Sequence, residues 1–100
     1  MADSGITVAD DGSWVLSGEL DFDTVPALLA HKGARMKQGH DIRVDLAGVT
    51  RVDSAGLALL VEWLRESKRK GLSISFEHVP EQLASIAQIS GLEEILFTHR

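Results

Sequence analysis

Few residues in this chain are of types that do chemistry, and their spacing restricts them further. Cysteine is absent, which removes disulfides, thiolate metal sites and a sulfur nucleophile. The histidines, His31, His40, His78 and His99, form no i, i+4 pair on a helix and offer no convergent ligand set. They read as surface or capping residues. Asp45 and Asp53 flank the approach to a helix and could serve as paired carboxylates for general acid–base work. The plainer reading makes Asp45 the outward residue of a strand and Asp53 a helix cap. No nucleophile elbow, Ser-His-Asp arrangement or glycine-rich phosphate loop is recognisable. Catalysis is therefore not expected, and neither a cofactor nor a metal.

What stands out is Val52-Asp53-Ser54-Ala55-Gly56-Leu57, at the opening of a helix. The first turn of a helix carries unpaired N–H groups and partial positive charge. A hydroxyl held there can cap the helix, contact a partner, or carry a phosphate that the dipole favours. Ala55 and Gly56 leave little bulk, so another chain could approach the backbone closely. Farther along, Ala55, Leu59 and Trp63 recur every fourth residue on a face offset from the Leu57/Leu60/Leu64 stripe. Either this helix is deeply embedded, or Leu59 and Trp63 form part of a docking patch.

These residues need elements to position them. Ile6-Thr7-Val8-Ala9 is β-prone, Asp11-Gly12 is a two-residue hairpin signal, and Ser13 to Ser17 returns as a second strand. Asp21, Asp23 and Thr24 are N-cap candidates, followed by a helix carrying Val25, Leu28, Leu29 and Met36 on one side, with the stem of Lys32 between them. Gly33 weakens that helix by about 1 kcal/mol relative to alanine, and Gly39 ends it. Ile42 to Leu46 alternates as a strand, and Ala47 to Asp53 reads as a connection. The second helix runs from about Ser54 to Lys70, with Leu57, Leu60, Val61 and Leu64 inward and the Lys68 stem extending that face. Asp53 or Ser54 caps it, and Gly71 stops it. Leu72 to Phe76 alternates again. Pro80 opens a third helix with Leu83, Ile86, Ala87 and Ile89 facing inward, Gly91 closes it, and Ile95-Leu96-Phe97 reads as a last short strand. Strands alternating with helices imply right-handed crossovers and an α/β layer sandwich with some parallel pairing.

Composition narrows the function classes. The chain has 100 residues, 44% of them apolar, which suits a single domain over residues 1–100 with its own core. Ten Lys and Arg against fifteen Asp and Glu leave a net charge of −5, the wrong sign for a nucleic-acid binder. The sequence contains no run of about 18 apolar residues that could span a bilayer. Asp3, Asp10, Asp11, Glu19, Asp21 and Asp23 precede the first basic residue, unlike a secretory leader, so a cytoplasmic location is expected.

The stretch Thr50-Arg51-Val52-Asp53-Ser54-Ala55-Gly56-Leu57-Ala58-Leu59-Leu60 resembles the signature of STAS domains, the sulfate-transporter and anti-sigma-antagonist family. Gly18-Glu19-Leu20-Asp21, Asp45-Leu46 and Ser90-Gly91-Leu92 extend the likeness over almost the whole chain. The resemblance implies a four- or five-stranded mixed sheet with helices packed on one side, and it puts Ser54 at the family's regulated hydroxyl position. Two branches are in view. Ser17 to Asp21 and Arg51 to Leu60 are most similar to the small STAS subunit of Mla-type phospholipid-transport ABC complexes, although that branch commonly has threonine at the position of Ser54. That likeness implies a non-enzymatic subunit of a system maintaining outer-membrane lipid asymmetry. It would dock on the cytoplasmic ATPase at the inner membrane, without inserting into lipid itself. The contact would involve Asp53, Ser54, Ala55 and Gly56, with Leu59 and Trp63 adding apolar area if exposed. The alternative is an anti-sigma factor antagonist phosphorylated at Ser54; that branch more often has a second serine where this chain has Ala55.

Overall fold

The computed structural model describes residues 5–29 and 41–97. Lys32, Gly33, Met36 and Gly39 of the first expected helix, and His31, His40 and His99, lie outside that set. β1 (Gly5–Val8) and β2 (Trp14–Leu20) form the opening antiparallel hairpin, with Val8 opposite Trp14. The turn differs from the expected two-residue Asp11-Gly12 type. Ala9 N–H donates to Ser13 O and Gly12 N–H to Ala9 O, each at 2.9 Å, enclosing Asp10, Asp11 and Gly12 in the loop. Among these only Gly12 has a positive φ, +88°, as in a type I turn closed by a left-handed glycine. Asp11 decides the outcome: its Oδ1 accepts from Ser13 N–H at 3.0 Å and from Ser13 Oγ at 2.7 Å. Aspartate folding back on its own backbone two residues on is a strong local preference.

The chain continues through α1 (Val25–Leu29), β3 (Ile42–Val52), α2 (Ser54–Arg69), β4 (Ile74–Glu77), α3 (Glu81–Ile89) and α4 (Glu93–Phe97). The strands lie in the order β1-β2-β3-β4, with β2–β3 and β3–β4 parallel. Parallel neighbours need crossovers, which the α1 segment and α2 provide. The result is a four-stranded mixed sheet with helices on one face.

Two elements depart from the sequence expectation. β3 runs on to Val52, through the residues read as a connection. Its pairing with β2 shifts register between Val15 and Ser17 and again between Gly18 and Glu19. Each shift inserts an extra β3 residue, so the buried positions go Leu46, Val49, Val52 and not every second residue. That broken alternation hides the strand. The expected final strand, Ile95 to Phe97, is helical. Glu93 and Glu94 suit the positive end of that helix, and Leu96 N–H bonds Leu92 O at 3.0 Å, directing Leu96 into the core. A run of three apolar residues cannot distinguish the two geometries by period. Ile89, expected inward, is 86% exposed.

The covered face holds the core. Trp14, Leu16 and Leu20 of β2, Val44 and Leu46 of β3, and Phe76 of β4 meet Leu59, Leu60 and Trp63 of α2 and Leu83 of α3. Trp14 and Trp63 pack edge to face with ring centroids 5.2 Å apart. Lys68 does not extend the buried face of α2; Ser67 does, its Oγ donating to Leu64 O at 2.8 Å. The opposite sheet face is polar. Arg43 pairs with Asp11 at 2.5 Å and approaches Glu77 at 4.0 Å, while His78 Nδ1 meets Asp45 Oδ1 at 2.9 Å. Hydrogen bonds from Ser13, with help from Arg43, hold the Asp11 carboxyl down to about 2. Asp45 is likewise held below the ordinary carboxylate range, by the Ala47 N–H first and His78 second.

Candidate functional site

The parallel strands β2 and β3 deliver their carboxyl ends side by side, with Leu20 opposite Val52. Each then turns into a helix, which places the Asp21–Thr24 loop beside the opening of α2. Crevices outside the carboxyl ends of parallel strands are where α/β sheets present their binding residues.

Asp53 and not Ser54 caps α2: Asp53 Oδ1 accepts from Ala55 N–H at 2.8 Å, and Asp53 O accepts from Gly56 N–H at 3.0 Å. The Asp53 N–H also reaches back to Leu20 O at 3.1 Å, tying the cap to β2. With the cap supplied by Asp53, the exposed Ser54 makes no side-chain hydrogen bond among the described residues. Its hydroxyl remains available, on the first turn, where N–H groups and the helix dipole favour a negative or hydrogen-bonding group.

Gly56 has a different role from the one its size suggests. A Cβ there would lie 2.3 Å from Val52 Cγ2, 2.8 Å from Leu20 Cβ and 2.9 Å from Leu20 O. The close backbone approach that Ala55 and Gly56 were expected to offer another chain is made at Gly56 by this chain's own β2 and β3. Ala55 is also buried. Leu59 and Trp63 are both 0% exposed, so they provide no docking area. They are inward because α2 lies on the sheet, with Trp63 against Trp14 of β2, and is flanked by α1, α3 and α4, which broadens its buried arc to Leu57, Leu59, Leu60, Trp63 and Ser67, while Val61 and Leu64 are only partly buried. Of the six residues expected at the contact, the structure leaves Ser54 exposed and Asp53 half-buried.

The neighbouring loop adds a residue that periodicity alone does not reveal. Asp21 Oδ1 accepts from the N–H groups of Asp23 at 2.9 Å and Thr24 at 3.1 Å. Thr24 Oγ1 accepts from Asp21 N–H at 3.0 Å and donates to Glu19 O at 2.7 Å. Desolvation pushes the Asp21 carboxyl up, but the Thr24 and Asp23 hydrogen bonds outweigh it and hold the group below its ordinary value. Phe22, at the tip, is 74% exposed. Asp21, Phe22, Asp23, Arg51, Val52 and Asp53 line a recess of about 160 Å³. Behind it, Gln82 of α3 accepts from Val52 N–H at 3.0 Å and fixes the strand end. The signal in the sequence was an aromatic residue between two aspartates with no place in any apolar stripe.

The alternative chemistry of paired carboxylates is not assembled. Asp45 lies within β3 and Asp53 just beyond its end, about 20 Å apart at strand rise once the two inserted residues are discounted. Asp45 is engaged by His78 on the open face, and Asp53 caps a helix. No group of three or more His, Asp or Glu side chains is placed to hold a metal ion among the described residues.

A mixed sheet covered by helices on one face, with an open hydroxyl on the first turn after the long central strand, defines an α/β domain of the STAS type. The chain belongs to that family: the family model described as "Mlab, STAS domain" matches residues 9–98. It is 32% identical over 77 residues to the Escherichia coli intermembrane phospholipid transport system binding protein MlaB, spanning 77% of each chain. It is also 32% identical over 81 residues to the Bacillus subtilis anti-sigma-B factor antagonist, covering 81% of this chain and 74% of that one. Among solved structures, a chain of the Acinetobacter MlaFEDB complex in an ATP-bound conformation superposes with a TM-score of 0.78 at 29% identity, covering 92% of this chain and 96% of that one. Unphosphorylated SpoIIAA, an anti-sigma factor antagonist, shares the fold with a TM-score of 0.72 at 19% identity, covering 95% and 86% of the two chains. Among the described residues, no helix is long and apolar enough to cross a membrane.

Proposed function

We propose that this chain is a non-enzymatic regulatory subunit that binds the ATPase of a phospholipid-transport ABC complex and supports its activity in maintaining outer-membrane lipid asymmetry. It works on the cytoplasmic side of the inner membrane, held there by the complex. The observation that carries the reading is the open Ser54 hydroxyl on a first turn already capped by Asp53. A side chain released from capping, on a turn locked to β2, is preorganised for a polar contact with a partner. The likeness to MlaB and to a chain of the MlaFEDB complex supports this partner class. Ser54 makes the central contact, Asp53 fixes the turn, and Gly56 lets it close on the sheet.

The test is co-purification of Ser54→Arg with the ATPase. The exposed position accommodates arginine without loss of fold, so the reading expects a folded protein that no longer docks. Normal recovery of the complex would overturn it. The second reading, an anti-sigma factor antagonist switched at Ser54, has its own support in the equal identity to the B. subtilis antagonist and in the same exposed hydroxyl. A gain of one phosphate on Ser54 with a cognate kinase and ATP, together with failure to bind the ATPase, would select it.

A further inference from the structure

The docking reading leaves Phe22 unexplained. Scattered exposed apolar residues are ordinary on protein surfaces, but three features separate this one. Its loop is fixed by the Asp21 and Thr24 hydrogen bonds at both ends, so little backbone freedom remains to be lost on binding. Phe22 lines the recess that reaches Asp53, one residue from Ser54, so it is continuous with the proposed contact. Asp21, Asp23 and Asp53 line the same recess, three acidic residues against the one basic residue Arg51. The recess, at about 160 Å³, is smaller than the roughly 300 Å³ at which small-molecule pockets begin. It has room for a protein side chain.

Resting on the docking reading, we propose that Phe22 is the apolar anchor of the ATPase contact and that the ATPase receives it in an apolar hollow rimmed by Lys or Arg. One basic side chain of that rim enters the recess between Asp23 and Asp53. An aromatic ring has few rotatable bonds and much apolar area, which is why such residues dominate interface energetics. The acidic residues of the recess set the sign of the partner surface and speed encounter.

The experiment is a binding titration of the purified chain against the ATPase subunit from the same cells, at low and high salt, with thermal melts of each variant. Phe22→Ala is expected to weaken binding at least about tenfold with the melt unchanged, because the ring is a solvent-facing anchor. Phe22→Tyr restores binding. Asp23→Lys is expected to weaken it by about tenfold and to flatten its salt dependence. If Ser54→Arg abolishes binding while Phe22→Ala leaves it unchanged, the anchor is wrong and the docking reading stands. Unchanged or tighter binding by Asp23→Lys would overturn the basic rim. Should the unaltered chain fail to bind the ATPase, both the reading and the anchor fall.

Discussion

Along α2, the first turn and the stretch from Leu59 to Trp63 are both rich in small or apolar residues, yet they meet different surroundings. The first turn is pressed onto Leu20 and Val52 through Gly56, and only Ser54 and part of Asp53 remain outside. From Leu59 to Trp63 the helix is sunk against Trp14 and the strands, with both named side chains fully buried. Apolar residues at helical spacing outside the main stripe therefore mark depth of burial here, not a docking face. The surface offered to a partner comes from a hydroxyl and from the loop after β2.

The largest test of that contrast is Trp63→Ala. Emptying so large a buried site should cost about 3–5 kcal/mol in urea unfolding. A stable variant that failed only in binding would return Trp63 to the surface and reverse the comparison. Gly56→Ala comes next: its added methyl meets the Leu20 backbone oxygen and Val52, and overpacking of this kind costs about 1–3 kcal/mol by thermal melt. Asp53→Ala removes the cap to Ala55 N–H and should cost about 1 kcal/mol in the same assay. Ser54→Ala, beside it, should move stability by less than about 0.5 kcal/mol, because the hydroxyl supports no part of the fold. A larger loss would make Ser54 a structural residue.

The smallest expected effect lies on the open sheet face. The folded Asp11 carboxyl is held near 2 from an ordinary 3.8, so it binds its proton later than the unfolded chain does. Its stabilisation is complete above about pH 4 and is lost as pH falls toward 2. Asp11→Asn should lower stability modestly across the neutral region and converge with the unaltered chain as pH falls toward 2, so the acid limb of its stability–pH profile is flatter. The ion pair with Arg43 is exposed, so its removal alone should be hard to detect.

Much of the architecture was legible because its signals are local. The hairpin, the alternation of Ile42 to Leu46, the cap candidates at Asp53 and Ser54, and the glycine stops at Gly71 and Gly91 each act within a few residues. The two glycine stops adopt φ of +71° and +75°. What escaped depends on pairing between distant segments. The register shifts against β2 disguise the second half of β3, and the depth of α2 is set by the sheet and the helices that flank it. The site divides in the same way. Ser54 and Asp53 announce themselves by type and position, while Phe22 becomes meaningful only when parallel pairing brings β2 and β3 to a common edge.

The absent side chain at Gly56 has a mechanical consequence. With its first turn seated on the Leu20 carbonyl and the Val52 side chain, α2 cannot retreat into the molecule when something is added or removed at Ser54. Any bulk or charge placed there can go only outward. Such a turn behaves as a fixed signboard and not as a lever: a change at Ser54 is seen at once by whatever faces it, while the core behind stays still.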